Sequence, residues 1–124
     1  MSFDLGVWKS EAPLTHEQAA GIYVNLCENW PYLEGESRSV GTFYDELTRR
    51  WPELDTVPEE QIDNMQYCPW SSALSRSGMA VVMSCVWSIS DEVAAFVKEL
   101  ANKHGLVLFD PQSGSVVLPE HLKA

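Results

Sequence analysis

The chain of 124 residues is 45% hydrophobic and carries 18 acidic side chains against 8 lysines and arginines, a formal net charge of −10. That length suits a single domain, 1–124, able to bury a working core. The charge repels nucleic acid and anionic membrane and favours a basic protein partner. No apolar run approaches the roughly 18 residues that would suggest a membrane span.

The charge is unevenly placed. Ten carboxylates lie between Glu28 and Asp63 against Arg38, Arg49 and Arg50, so seven of the ten net charges fall in under a third of the length. The N-terminal MSFDLGVWKSEAP lacks the basic region and apolar core of a secretory signal. Cys27, Cys68 and Cys85 are odd in number and form no CxxC pair. They read as reduced thiols in a cytoplasmic protein, without a disulfide framework or a zinc cluster.

Ser2 to Trp8 alternates, with Phe3, Leu5 and Val7 on one face and Asp4, Gly6 and Trp8 on the other. That is the pattern of a half-buried strand with one open face. Thr15 opens a helix, and Gln18 is spaced to close a capping box. Ala19, Ile22, Tyr23, Leu26 and Trp30 form its apolar stripe, and Pro31 follows. A polar link from Glu34 to Ser39 leads to a second helix striped by Val40, Phe43, Tyr44, Leu47 and Trp51, which Pro52 ends.

Pro52 to Ser72 shows no sustained period and predicts a long acidic loop, with one helical turn near Glu59–Met65. Met79 to Trp87 is apolar on both faces and predicts a central strand. A third helix follows, capped by Ser88 or Ser90, with Asp91 and Glu92 in its first turn where the helix dipole favours them. Val93, Phe96, Val97, Leu100 and Ala101 stripe it, and Gly105 stops it after His104. Leu106 to Phe109 reads as a strand, Asp110 to Gly114 as a turn, and Ser115 to Leu118 as the hairpin partner. If Trp70 to Leu74 supplies a further strand, the order is βαββαβ with an inserted second helix and a trailing strand. The expected fold is therefore an α+β, ferredoxin-like antiparallel sheet with helices packed on one face.

The motifs of nucleotide binding, serine hydrolysis and zinc proteolysis are absent from the sequence. His16 fits an exposed first-turn side chain, His104 a cation at a helix C-terminus, and His121 the chain end. Asp55 to Asp63 lacks the alternating ligands and the glycine of a calcium loop. No catalytic residue, cofactor or metal ligand is expected. Trp51 and Trp87 are expected in the core. Trp8 and Trp70 are the better interface candidates, although packing under a loop is the commoner fate of such a side chain.

Three segments carry a likeness to known sequences: SFDLGVW at the start, CPWS in the middle and HGLVLFDPQSG after the third helix. Together they resemble a family of small, acidic, functionally uncharacterised bacterial proteins with the pattern SFDLAVW, SPW-S and HGLVCFDPQ. The likeness spans most of the chain, with Gly6 where that pattern has Ala and Leu108 where it has Cys. It implies a compact α+β domain and transfers no catalytic motif. Some members resemble immunity proteins encoded beside polymorphic toxins.

The resulting expectation is a cytoplasmic, non-enzymatic, immunity-like protein that occludes a basic partner, such as a secreted bacterial toxin domain. Glu53, Asp55, Glu59, Glu60, Asp63 and Trp70 are its expected contacts. The alternative is a small ligand-binding domain or enzyme with a pocket between sheet and helices, where His104, Cys85 or carboxylates would converge.

Overall fold

A computed structural model of the chain describes residues 2–28 and 35–123. Strands β1 (Ser2–Trp8), β2 (Ser75–Arg76), β3 (Ala80–Val86), β4 (Val107–Asp110) and β5 (Ser115–Val117) accompany helices α1 (His16–Cys27), α2 (Arg38–Arg50) and α3 (Ser90–Lys103). The strands form one antiparallel sheet in the order β2-β3-β1-β4-β5. The fold is α+β. Its centre is the ladder between β1 and β3, which pairs every residue from Ser2 opposite Val86 to Trp8 opposite Ala80.

Both faces of this sheet are covered. Leu5, Val7, Val81, Met83, Cys85 and Leu108 point to one side and pack with Val40, Phe43 and Leu47 of α2 and Val93, Val97, Leu100 and Ala101 of α3. Trp8, Ala80, Val107 and Phe109 point to the other and pack with Ala19, beside the half-buried Ile22, Tyr23 and Leu26 of α1. The expected arrangement, with all helices on one face, is corrected here: α1 lies opposite α2 and α3. Trp8, expected on an open face, is fully buried, while Asp4, Val82 and Ser84 on the same face are half-exposed. Gly6 permits this approach, because a Cβ there would come within 2.8 Å of the Tyr23 ring.

The helix signals hold where they are local. Thr15 accepts from the Gln18 amide and Gln18 accepts from the Thr15 amide, which completes the capping box. The expected stop at Trp30 and Pro31, and Glu34 in the link, lie outside the described residues. Ser37 caps α2 by accepting from the Val40 amide. Gly105, at φ +69°, ends α3 as expected. Its amide donates to the Asn102 carbonyl and that of Leu106 to Ala101, the paired bonds of a Schellman stop. Neither Ser88 nor Ser90 caps α3: Ile89 holds the cap position without a side-chain bond, and a 3-10 turn over Trp87–Ile89 leads into the helix.

The edge beside β3 is built in two pieces rather than from Trp70 to Leu74. The Val86 amide donates to the Pro69 carbonyl and the Ser71 amide to that of Ser84, so Pro69–Ser71 lies along the end of β3. The chain then bulges out and returns as β2 opposite Val82 and Val81. At the other end, the Asp110–Gly114 turn adds a side-chain rung. Gln112 accepts from the Asp4 amide and donates to the Asp4 carbonyl, both at 2.7 Å, continuing along β1 where β4 has turned away. His16 does more than fill an exposed turn: its Nδ1 accepts the Val116 amide at 2.9 Å and ties α1 to β5.

Leu100 is 4% exposed in the shared core of α2, α3 and the sheet. Leu100→Ala is expected to lower unfolding free energy by about 2–5 kcal/mol. An unchanged urea midpoint would contradict that placement.

Candidate functional site

The segment from Trp51 to Leu74 connects α2 to β2 and is the longest described stretch without a strand or an α-helix. Two 3-10 turns, Leu54–Thr56 and Glu59–Gln61, shape it. Further amide bonds run from Asn64 to the Gln61 carbonyl and from Tyr67 and Cys68 to that of Asn64. The loop is thus a chain of short turns, with more local order than the single helical turn expected near Glu59–Met65.

Its two ends are locked to the core. Trp70 is 2% exposed, and its indole N–H donates to the Trp51 carbonyl at 3.1 Å. The two rings meet edge to face with centroids 6.0 Å apart, and Trp51 meets Phe96 of α3 in the same way at 5.2 Å. The Arg50 guanidinium covers the Trp51 and Phe96 rings at 4.6 and 4.8 Å. Cys68 is buried and donates its thiol to the Pro52 carbonyl. Trp70 is therefore corrected from an expected partner contact to an internal anchor.

Glu53, half-buried, turns its carboxylate to internal partners. Its Oε2 accepts from the Tyr44 hydroxyl at 2.5 Å and its Oε1 from the Leu74 amide at 3.0 Å. One carboxylate thus joins α2, the start of the loop and its end. Burial and the Glu53 carboxylate push the Tyr44 hydroxyl up to about 12, so it stays a donor at neutral pH. The Arg76 guanidinium lies over the Tyr44 ring at 4.4 Å. Nothing in the spacing of Glu53 distinguished it from its acidic neighbours; Tyr44, on the stripe of α2, was the clue.

Asp55, Glu59, Glu60 and Asp63 are exposed, and none forms a side-chain hydrogen bond or ion pair among the described residues. The structure brings these four to the outside of one ordered loop, with Glu53 and Trp70 beneath it. Among the described residues, no three His, Cys, Asp or Glu side chains are grouped as a metal would need.

Exposed apolar side chains escaped the sequence reading, Trp87 and Met65 among them. Trp87, expected in the core, is 44% exposed and Met65 is 41% exposed. The physical reason for Trp87 is register: the pairing described between β1 and β3 runs out at Ser2 opposite Val86, so Trp87 lies past that rung, with its ring edge to face with Phe3 at 5.0 Å. Met65 sits close by, its Sδ accepting from the Ser88 hydroxyl at 3.2 Å.

The chain matches no family model, no curated protein and no solved structure.

The structure gives the residues of the alternative reading separate surroundings. Cys85 faces the core, where burial pushes its thiol up to about 11, and Cys68 is raised for the same reason. Unreactive thiols follow. His104 gives Nε2 to Glu46 of α2 at 3.0 Å, and Lys103 reaches the same carboxylate at 3.0 Å. A cleft of about 500 Å³ beside the start of α2 is lined by Arg38 and Arg76 but also by Glu36 and Asp45, so its charge favours neither sign.

Two measurements test these assignments. Glu53→Ala strands two donors and is expected to cost about 1–3 kcal/mol, whereas Glu59→Ala should change stability by less than about 0.5 kcal/mol. Equal urea midpoints would contradict the division into latch and surface. Glu46, bonded first by Lys103 and then by His104, has its carboxyl held below the usual value. A depressed value in the folded state means stability present above the unfolded value and lost as pH falls through the folded one. Stability should therefore drop more steeply below about pH 4.5 in the native protein than in Glu46→Gln; parallel acid-unfolding curves would contradict this.

Proposed function

We propose that this chain is a protein-binding module that captures a basic partner through the outer face of the Trp51–Leu74 loop. The observation that carries the reading is the placement of Asp55, Glu59, Glu60 and Asp63, all exposed on a loop whose ends Trp70 and Glu53 fix to the core. An ordered loop loses less conformational freedom on binding than a disordered one. Carboxylates on its rim steer a cationic partner and raise its association rate by about 10–10³-fold at low salt.

The finer reading is an immunity-like protein that occludes a toxin or effector. Its supports are the likeness of the SFDLGVW, CPWS and HGLVLFDPQSG segments, the acidity of the chain and the missing catalytic motifs. On this reading the protein acts in the cytoplasm by covering a cationic cleft on its partner, without catalysis of its own. No helix of the described residues is long and apolar enough to cross a membrane. For the scaffold, the order β2-β3-β1-β4 with α2 and α3 on one face supports a ferredoxin-like core, to which α1 and β5 are additions.

The test is the binding kinetics of a partner captured from the producing cell. Glu59→Lys with Glu60→Lys should slow association by about ten-fold or more at low salt and by less at high salt, leaving dissociation nearly unchanged. Equal association rates, with the fold intact, would remove this face from the interface.

A further inference from the structure

We infer that Trp87 and Met65 form the apolar anchor point of this surface, and that the occupant is a lysine- or arginine-rich segment carrying an aliphatic or aromatic side chain. The inference rests on the reading that the acidic face binds a basic partner, and it adds where the non-electrostatic part of the affinity comes from.

Four large apolar side chains are exposed between Ile62 and Trp87: Ile62 at 55%, Met65 at 41%, Tyr67 at 37% and Trp87 at 44%. Scattered singly, such residues need no explanation; grouped beside a cleft, they mark an interaction surface. Met65 lines such a cleft, and Trp87 adjoins it through Ser88. The hydroxyl of Ser88, the residue after Trp87, donates to the Met65 sulfur at 3.2 Å, which joins the loop to the entrance of α3. Beside this joint lies a cleft of about 280 Å³, lined by Met65, Gln66, Ser88, Ile89, Asp91 and Glu92.

The chemistry of that cleft selects its occupant. Its apolar lining comes from Met65 and Ile89, and both charged residues that line it, Asp91 and Glu92, are acidic. An apolar side chain flanked by cations meets both features. Glu92 is bound in part by Arg50 at 3.3 Å, across two side chains that are each 45% exposed, so that pair is weak enough to exchange for a partner's cation. Trp87 already packs edge to face with Phe3, with the rings 5.0 Å apart and 82° between their planes. A large side chain held in place and half open to solvent is the kind of residue that carries interface affinity. Methionine beside it can adapt to the shape of what binds.

Two synthetic peptides separate charge from anchoring: hexalysine, and a six-residue peptide with leucine and tryptophan set between two pairs of lysines. Binding is followed on the Met65 methyl and Trp87 indole resonances at low salt. The mixed peptide should bind about ten-fold tighter than hexalysine and move both signals. In Trp87→Ala, and independently in Met65→Ser, that advantage should fall below about three-fold while hexalysine affinity is unchanged. If the two peptides bind the native protein alike, or the advantage survives both substitutions in folded protein, the inference is overturned. A mass that doubles with concentration, and does so only while Trp87 is present, would also overturn it, by assigning the patch to a second copy of the chain. Failure of hexalysine to bind, with the mixed peptide still moving both signals, would fault the charge reading and leave the anchor standing.

Discussion

The burial of Trp70 beneath its own loop is the constraint on which the rest of the surface depends. The side chain stands 19 residues beyond Trp51, and its indole returns to the carbonyl of that residue, where the segment began. Closing such a loop is entropically unfavourable, though only weakly dependent on its length. Here two tryptophan rings, the Phe96 ring and one buried hydrogen bond offset that loss at a single point. Glu53 adds a second tie from Tyr44 to Leu74. What lies between is held as turns, and its carboxylates are presented from a fixed base.

The acidity of the chain therefore has two roles that charge counting merges. Glu46 and Glu53 act inward: one receives Lys103 and His104 and holds α2 to α3, the other receives Tyr44 and a backbone amide and holds the loop to α2. Asp55, Glu59, Glu60 and Asp63 act outward, into water. Groups of the second kind contribute little to stability and repel each other, and the proposed binding of a cationic partner would offset that repulsion. The apolar pair of Met65 and Trp87 at the entrance of α3 supplies what a purely charged surface lacks: area that is better buried than exposed.

The elements themselves were legible because their signals are local. Alternation over Phe3–Trp8, the Thr15–Gln18 box, the stripe of α3 and the Gly105 stop each concern residues within a turn or a strand of one another, and each is observed. The errors concern what lies opposite. Period-two alternation says that Asp4, Gly6 and Trp8 share a face, but an aspartate and a glycine hide the fact that α1 covers it. Gly6 is absent of side chain because Tyr23 is there, a reason that the strand alone does not contain. Trp87 follows an apolar run and reads as core, yet it is exposed because it lies past the rung of Ser2 with Val86, a partner distant in sequence. The candidate site suffered likewise: Glu53 and Glu59 are the same residue type in the same loop, and only Tyr44 and Leu74 separate their fates.

The central claim is that the acidic loop is ordered before any partner arrives, and amide hydrogen exchange of the isolated protein tests it most directly. The amides of Thr56, Gln61, Asn64, Tyr67 and Cys68 donate to carbonyls within the loop. They should exchange measurably more slowly than the same residues in an unfolded chain, and the Val86 amide, bonded to the Pro69 carbonyl, more slowly still. Exchange of all five loop amides at the unfolded-chain rate, with β1 and β3 still protected, would contradict the account and make the loop a segment that orders only on binding.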